Sequence, residues 1–279
     1  MIIAPYWLSF PRVFVLRFGE SYRMSFLGMS AYAILIMMVV AWVISLVKKD
    51  ASVVDVFWGM GFGLIALLAL VNLSNPPLAI TGLYGLVILW SLRLTWHLGT
   101  RWMGEAEEDR RYRSMRRNAG PNQFWWKSLY IVFGLQGVLI MIISLPLTGL
   151  FAHSVIIAAP IWAWAFLAVA ALGLFIETMS DIQLTQFRKT AQTNDILKAG
   201  LWSRSRHPNY FGDALFWWGI GLAACAIAPE LLWTLIAPAI MNFFLVNVSG
   251  AKLLENHLKN KQGYDVYMKE TNRFIPKIF

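Results

Sequence analysis

The residues best suited to chemistry fall in one short stretch. Arg204, Arg206 and His207 stand just before Pro208, and Asn209, Tyr210, Gly212 and Asp213 just after it. Pro208 suits the first turn of a helix, where its missing N–H costs nothing. A helix is therefore predicted to start there, and its N-terminus offers free N–H groups and a partial positive charge. With Arg204, Arg206 and His207 beside it, that end is a phosphate site or an ordinary basic membrane flank. Asn209 and Asp213 are four residues apart and share a helix face. Asp213 would lie roughly 7 Å along the helix, at about 1.5 Å per residue. A carboxylate that deep in an apolar helix is costly and marks a functional position that needs a donor, such as a ligand hydroxyl or amide. Gly212 lets something approach the backbone closely.

Three further groups point to the same region. Glu177, Ser180, Asp181, Gln183, Gln186 and Arg188 close an apolar block, with Glu177 and Asp181 again on one face. They read either as a solvated helix end or as a site for hydroxyl or amine donors. Asp55 opens a second apolar block, and Arg93 and His97, one turn apart, close a third. Arg93 either snorkels to the surface or joins the site; Asp55 and His97 read as a buried acid and its partner. The run from Glu105 to Arg113 passes from acidic to basic and reads as a solvated helix beside the same mouth. Gln136 is a lone amide in an apolar block, bonded to another helix or lining a polar pocket. The C-terminal run through Lys252, Glu255, His257, Tyr264, Tyr267 and Arg273 reads as a polar cap.

The elements that must position these residues follow from composition. Of 279 residues, 58% are hydrophobic and 14% charged, whereas a soluble domain carries about a quarter charged. The apolar residues form long blocks, judged against the roughly 20 needed to cross a bilayer. Seven spans are predicted near 26–47, 53–73, 78–98, 129–151, 155–176, 209–228 and 230–248, an all-α polytopic membrane bundle. Residues 1–25 are expected to form an amphipathic surface segment, and 26–279 a single membrane domain. Seven spans put 20 of the 24 Lys and Arg residues on one face. Positive residues stay cytoplasmic, so the N-terminus is expected outside, the C-terminus inside and the chemistry at the cytoplasmic rim. The net charge of +9 is then topological, and no nucleic-acid partner is expected. The single cysteine, Cys225, precludes an internal disulfide, and four histidines without a ligand pair make a metal site an unlikely expectation.

Arg206, His207, Asn209, Tyr210, Gly212 and Asp213 form a motif that resembles the steroid 5-alpha-reductase superfamily, including its bacterial membrane branch. Sterol C14 and C7 reductases carry a similar pattern. Ser180 and Asp181 with Arg188, the triplet Leu135-Gln136-Gly137 and the ending Phe274-Ile275-Pro276 add matches, and the likeness runs over roughly residues 30–279. It implies NADPH as cofactor, contacted by Glu177, Asp181, Arg188, Arg206, His207, Asn209, Tyr210, Asp213 and Lys252. It also implies reduction of the C=C bond of an α,β-unsaturated ketone in a steroid-like or other lipidic substrate, at a bacterial inner membrane. Asp55 stands where the family has its substrate-polarising glutamate. The family's tyrosine has no clear counterpart, so Arg93, His97 or Tyr84 is expected to serve. Isoprenylcysteine and phospholipid methyltransferases share the Arg-His-Pro-x-Tyr core, which makes an S-adenosylmethionine-dependent membrane methyltransferase the alternative.

Overall fold

The computed structural model describes the backbone of residues 12–120, 122–153, 159–192, 195–248, 251–259 and 261–277, with side chains from residue 25 except at 252, 253, 256 and 257. The segment expected to lie on the membrane surface is outside the described residues over 1–11, and over 12–24 only its backbone is described. That backbone is already helical from Arg12 and runs unbroken into the first span.

Seven helices are long and apolar enough to cross a membrane, so the chain reads as a multi-pass membrane protein. They lie in α1 (Arg12–Lys48), α2 (Val53–Asn72), α3 (Leu78–Gly104), α5 (Phe124–Ile143), α7 (Ile161–Thr190), α8 (Pro208–Ile227) and α9 (Pro229–Val248). Shorter helices are α4 (Arg110–Ala119), α6 (Leu145–Ala152), α10 (Ala251–Leu258) and α11 (Tyr264–Glu270). No strand occurs among the described residues, only one isolated bridge between Ser205 and Asn272.

Three spans differ from expectation in their bounds. The fourth span starts earlier, at Phe124, and ends at Ile143. Pro146 opens a separate helix just beyond it, since proline cannot continue the hydrogen-bond ladder of a preceding helix. The third and fifth spans extend well past their apolar blocks, to Gly104 and Thr190. His97 and the polar residues from Glu177 to Arg188 therefore ride on rigid helix, not on loops. That extension is possible because Glu177, Asp181 and Gln183 find partners on other segments.

Close backbone packing sets the site. A Cβ on Gly173 would come within 2.4 Å of the Phe216 nitrogen, and one on Gly212 within 2.5 Å of the Glu177 nitrogen. What approaches Gly212 is thus the backbone of α7. Small residues that let helices touch are the usual glue of membrane bundles, where apolar surface gains little by leaving lipid. The antiparallel α7–α8 pair is locked in a register that puts Asn209 and Asp213 opposite Asp181 and Glu177. Beneath them lies an aromatic floor in which Trp90 stacks on Phe216 at 5.4 Å and meets Trp217 edge-on at 5.2 Å.

Candidate active site

Arg93 is the centre of the first polar group. Its guanidinium donates to Glu177 at 2.9 Å, Asp181 at 2.8 Å and the Thr178 hydroxyl at 3.2 Å. The snorkelling reading of Arg93 therefore fails: the carboxylates of α7 hold it inside the bundle. The Trp90 indole donates to the other Glu177 oxygen at 2.8 Å. Asn209 donates to Asp181 at 3.2 Å, and His97 lies 3.8 Å from the same carboxylate. Asp213 is buried, and its Oδ1 has no hydrogen-bond partner. Three carboxylates thus gather around one arginine at the edge of an apolar bundle. A buried acceptor without a donor is costly, so Asp213 is suited to a ligand N–H or O–H.

The second group forms around Asp55. It does not pair with His97, as its sequence neighbourhood implied. It accepts instead from Arg111 at 2.5 Å and from the Tyr112 hydroxyl at 2.6 Å. The acid-to-base run is only partly solvated: Glu105, Glu107 and Arg110 are exposed, while Arg111 and Tyr112 turn inward. Asp109 caps α4 by accepting from the Arg111 N–H at 2.9 Å, and Ser52 Oγ accepts from the Asp109 N–H at 2.8 Å. This N-cap starts the helix so that Arg111 and Tyr112 sit in its first turn, facing Asp55. Gln136 donates to the Tyr112 oxygen at 3.2 Å, so it bonds another helix and also lines the cavity. Burial, reinforced by the Asp55 charge, pushes the Tyr112 phenol well above its ordinary value. It therefore keeps its proton. Asp55 only accepts in this group, and Arg111 and Tyr112 donate to it.

Both groups line one cavity of about 1060 Å³, at the upper end of ligand pockets, which run from about 300 to 1,000 Å³. Of the expected residues, Asp55, His97, Glu177, Asp181, Arg188, Asn209, Tyr210 and Asp213 border it. Arg188 lines it, as does Arg101, which is ion-paired with Glu105 at 2.7 Å. Among the described residues no hydrogen bond or ion pair engages the Arg188 guanidinium. Arg93 holds the wall from behind. Tyr84 is elsewhere: it is fully buried and donates to the Leu147 carbonyl at 2.8 Å.

Arg206 and His207 also turn away from this cavity. Arg206 donates to Glu255 at 2.8 Å and to the carbonyls of Met268 and Thr271. Burial holds the His207 imidazole below its ordinary value, against the pull of Glu255. Neutral His207 then meets Glu255 through Nε2 at 3.3 Å as a hydrogen bond, not an ion pair. Burial opposes ionisation of Glu255, yet the hydrogen bonds from His207 and Arg206 outweigh it and hold the carboxyl below the usual range. The basic flank expected to bind phosphate thus anchors the C-terminal segment in the structure described here. The side chain of Lys252 falls outside the described residues.

Sequence reasoning missed Tyr112, Arg111 and Glu255 as organisers. A signal for the first was present: Tyr112 is the lone aromatic in a ten-residue helix otherwise rich in arginine.

A family model described as a protein of unknown function, DUF1295, matches residues 41–271. The chain belongs to the DUF1295 family. That match spans α2 to α11, so both polar groups and the cavity lie within the family region. No curated protein and no solved structure matches the chain.

Proposed function

We propose that this DUF1295 protein is an NADPH-dependent reductase of a C=C bond conjugated to a ketone in a lipidic substrate, akin to the steroid 5-alpha-reductase superfamily. The observation that carries the reading is the joining, in one cavity, of an arginine without an ion pair among the described residues, Arg188, a buried carboxylate whose Oδ1 has no hydrogen bond, Asp213, and a proton-holding tyrosine, Tyr112. The residues fit the cofactor. Arg188 suits its phosphates, with Arg101 beside it once released from Glu105. Asp213 Oδ1 lacks the donor that a carboxamide N–H offers, and Asn209, fixed by Asp181, stands one turn away. Bound there, NADPH supplies hydride.

This chain's own residues do the rest. As the β carbon is reduced, negative charge grows on the carbonyl oxygen, and a positioned donor lowers the barrier. Tyr112 is that donor: its hydroxyl, which donates to Asp55 without substrate, turns to the substrate oxygen while Gln136 still donates to the phenol oxygen. Arg111 keeps Asp55 in place. The raised Tyr112 phenol holds its proton until the substrate oxygen becomes basic enough to take it. The apolar walls keep water from the reacting atoms. The concentration of Lys and Arg at the cavity end favours that end facing the cytoplasm, where the cofactor is available.

The test is thermal unfolding of the purified protein with NADPH and, separately, with S-adenosylmethionine. A ligand that binds only the folded state stabilises by about 2.7 kcal/mol at 100 times its Kd. NADPH is expected to raise the Tm, and Asp213→Ala to weaken that rise. Stabilisation by S-adenosylmethionine alone would replace the reductase reading with methyl transfer.

A further inference from the structure

The cavity has a second kind of wall. Ile131, Leu135 and Leu139 of α5 recur one turn apart, and Met241, Leu245 and Val248 of α9 recur at three- and four-residue spacing. Both sets line the cavity, so two apolar stripes at helical period come from helices far apart in sequence. The α5 stripe extends roughly 12 Å at about 1.5 Å per residue.

These two helices share an irregularity. α5 contains a π-helical stretch at Leu129–Gly134 and α9 one at Phe244–Val248. Such stretches are rare and cluster at functional sites. The regular parts of the two spans, Leu135–Ile143 and Ile236–Phe243, pack against one another. Among the described residues the π-helical parts do not form a comparable packed pair. Leu135 sits where the packing gives way. It lines the cavity and is yet 51% exposed, with the outward Val138 one turn off at 57%. Leu135 is therefore left unpacked at the turn where α5 passes from its π-helical to its regular part.

We propose that the cleft between α5 and α9 admits the substrate sideways from the membrane and holds an extended apolar tail, so that the preferred substrate is a tailed, membrane-resident enone. The proposal rests on the reductase reading for the identity of the head group. Gln136 lies directly beside Leu135 and reaches Tyr112, so a tail against the leucine stripe delivers its head to the donor. An aliphatic chain leaving there continues among lipid chains without losing apolar contact. A ring system enclosed wholly by the cavity has no use for the cleft.

The experiment uses the full-length protein in lipid nanodiscs with a long-chain alkyl enone bearing a diazirine on its tail. After illumination, labelled peptides are mapped by mass spectrometry. Labels are expected within 131–139 and 241–248, and to be removed by excess of the same enone without the diazirine. The double variant Leu135→Trp, Leu245→Trp should cut labelling about ten-fold by overfilling the cleft. If that variant fails to fold, the map of the unaltered protein decides. Labels spread evenly over outward residues such as Leu67, Leu172 and Phe175, or unchanged by competitor, would overturn the portal. The head-group reading is scored separately on the same probe. A focused map with no NADPH-dependent reduction would sink the chemistry and keep the cleft. Reduction with an even map would do the reverse.

Discussion

One eight-residue motif, 206–213, serves two regions of the molecule that differ in kind. Its first part faces the C-terminal segment, where Arg206 and His207 converge on Glu255 and the Arg206 guanidinium is fully engaged, although His207 Nδ1 is buried without a hydrogen bond. Its second part faces the cavity, where Asn209 borrows Asp181 and Asp213 keeps an acceptor without a partner. The start of α8 at Pro208 divides them, because the chain enters the helix there. Satisfied buried polar groups hold a structure together; unsatisfied ones at a cavity wait for a ligand. A phosphate-like charge pattern in sequence is thus no guide to which half does which.

Substitutions can break that division. The largest expected effect is on the cavity side. Tyr112→Phe should lower kcat by about 10²–10³, the usual loss for one well-placed donor, with NADPH affinity unchanged by titration. A mutant of normal kcat would remove Tyr112 from the donor role. Next is the anchoring side. Arg206→Ala leaves Glu255 buried with fewer partners, and breaking a buried pair costs about 3–5 kcal/mol. The expected readout is a lower Tm in detergent, together with faster proteolysis of the tail after 251. Unchanged stability with weakened NADPH binding would move Arg206 to the cavity side.

Arg188→Ala should show the opposite profile. Losing one charge-assisted contact weakens NADPH by about ten-fold with Tm unaffected in the absence of cofactor. The smallest effect is on pH. His207 sits below its ordinary 6.5 and Glu255 below its ordinary 4.5. For both groups the unfolded chain binds protons first as pH falls, so stability declines on acidification. The His207 contribution is complete above 6.5 and fades below it; that of Glu255 is lost only as pH drops below 4.5. Tm measured from neutral to acidic pH should fall in those two steps, and Glu255→Gln should remove the lower one. A flat profile would mean the anchor does not titrate.

Much of the frame was legible without coordinates. The seven apolar blocks map onto seven helices, and Gly212 was readable as a point of close approach. Gln136, Asp181, Asn209 and Asp213 were readable as polar residues in apolar helices, which need partners wherever they lie. Tyr112 was not legible, because its role depends on an N-cap at Asp109 that tips the first turn of α4 toward α2. Tyr84 looked equivalent to it by residue type, yet the fold turns it to the Leu147 carbonyl. Arg93 was undecided between surface and core until α7 proved long enough to carry Glu177 and Asp181 beside it.

The sequence by itself determined the class of molecule. Bilayer crossing depends on local length and hydropathy, and basic-loop asymmetry on simple counting, so both can be read residue by residue. Which polar side chains share a cavity is a matter of helix rotation and register. Those depend on contacts between segments far apart in the chain, such as Gly212 against Glu177 or α4 against Asp55. Only the tertiary structure could decide that Arg206 and His207 anchor the tail, while Asn209 and Asp213, a few residues on, look into the cavity.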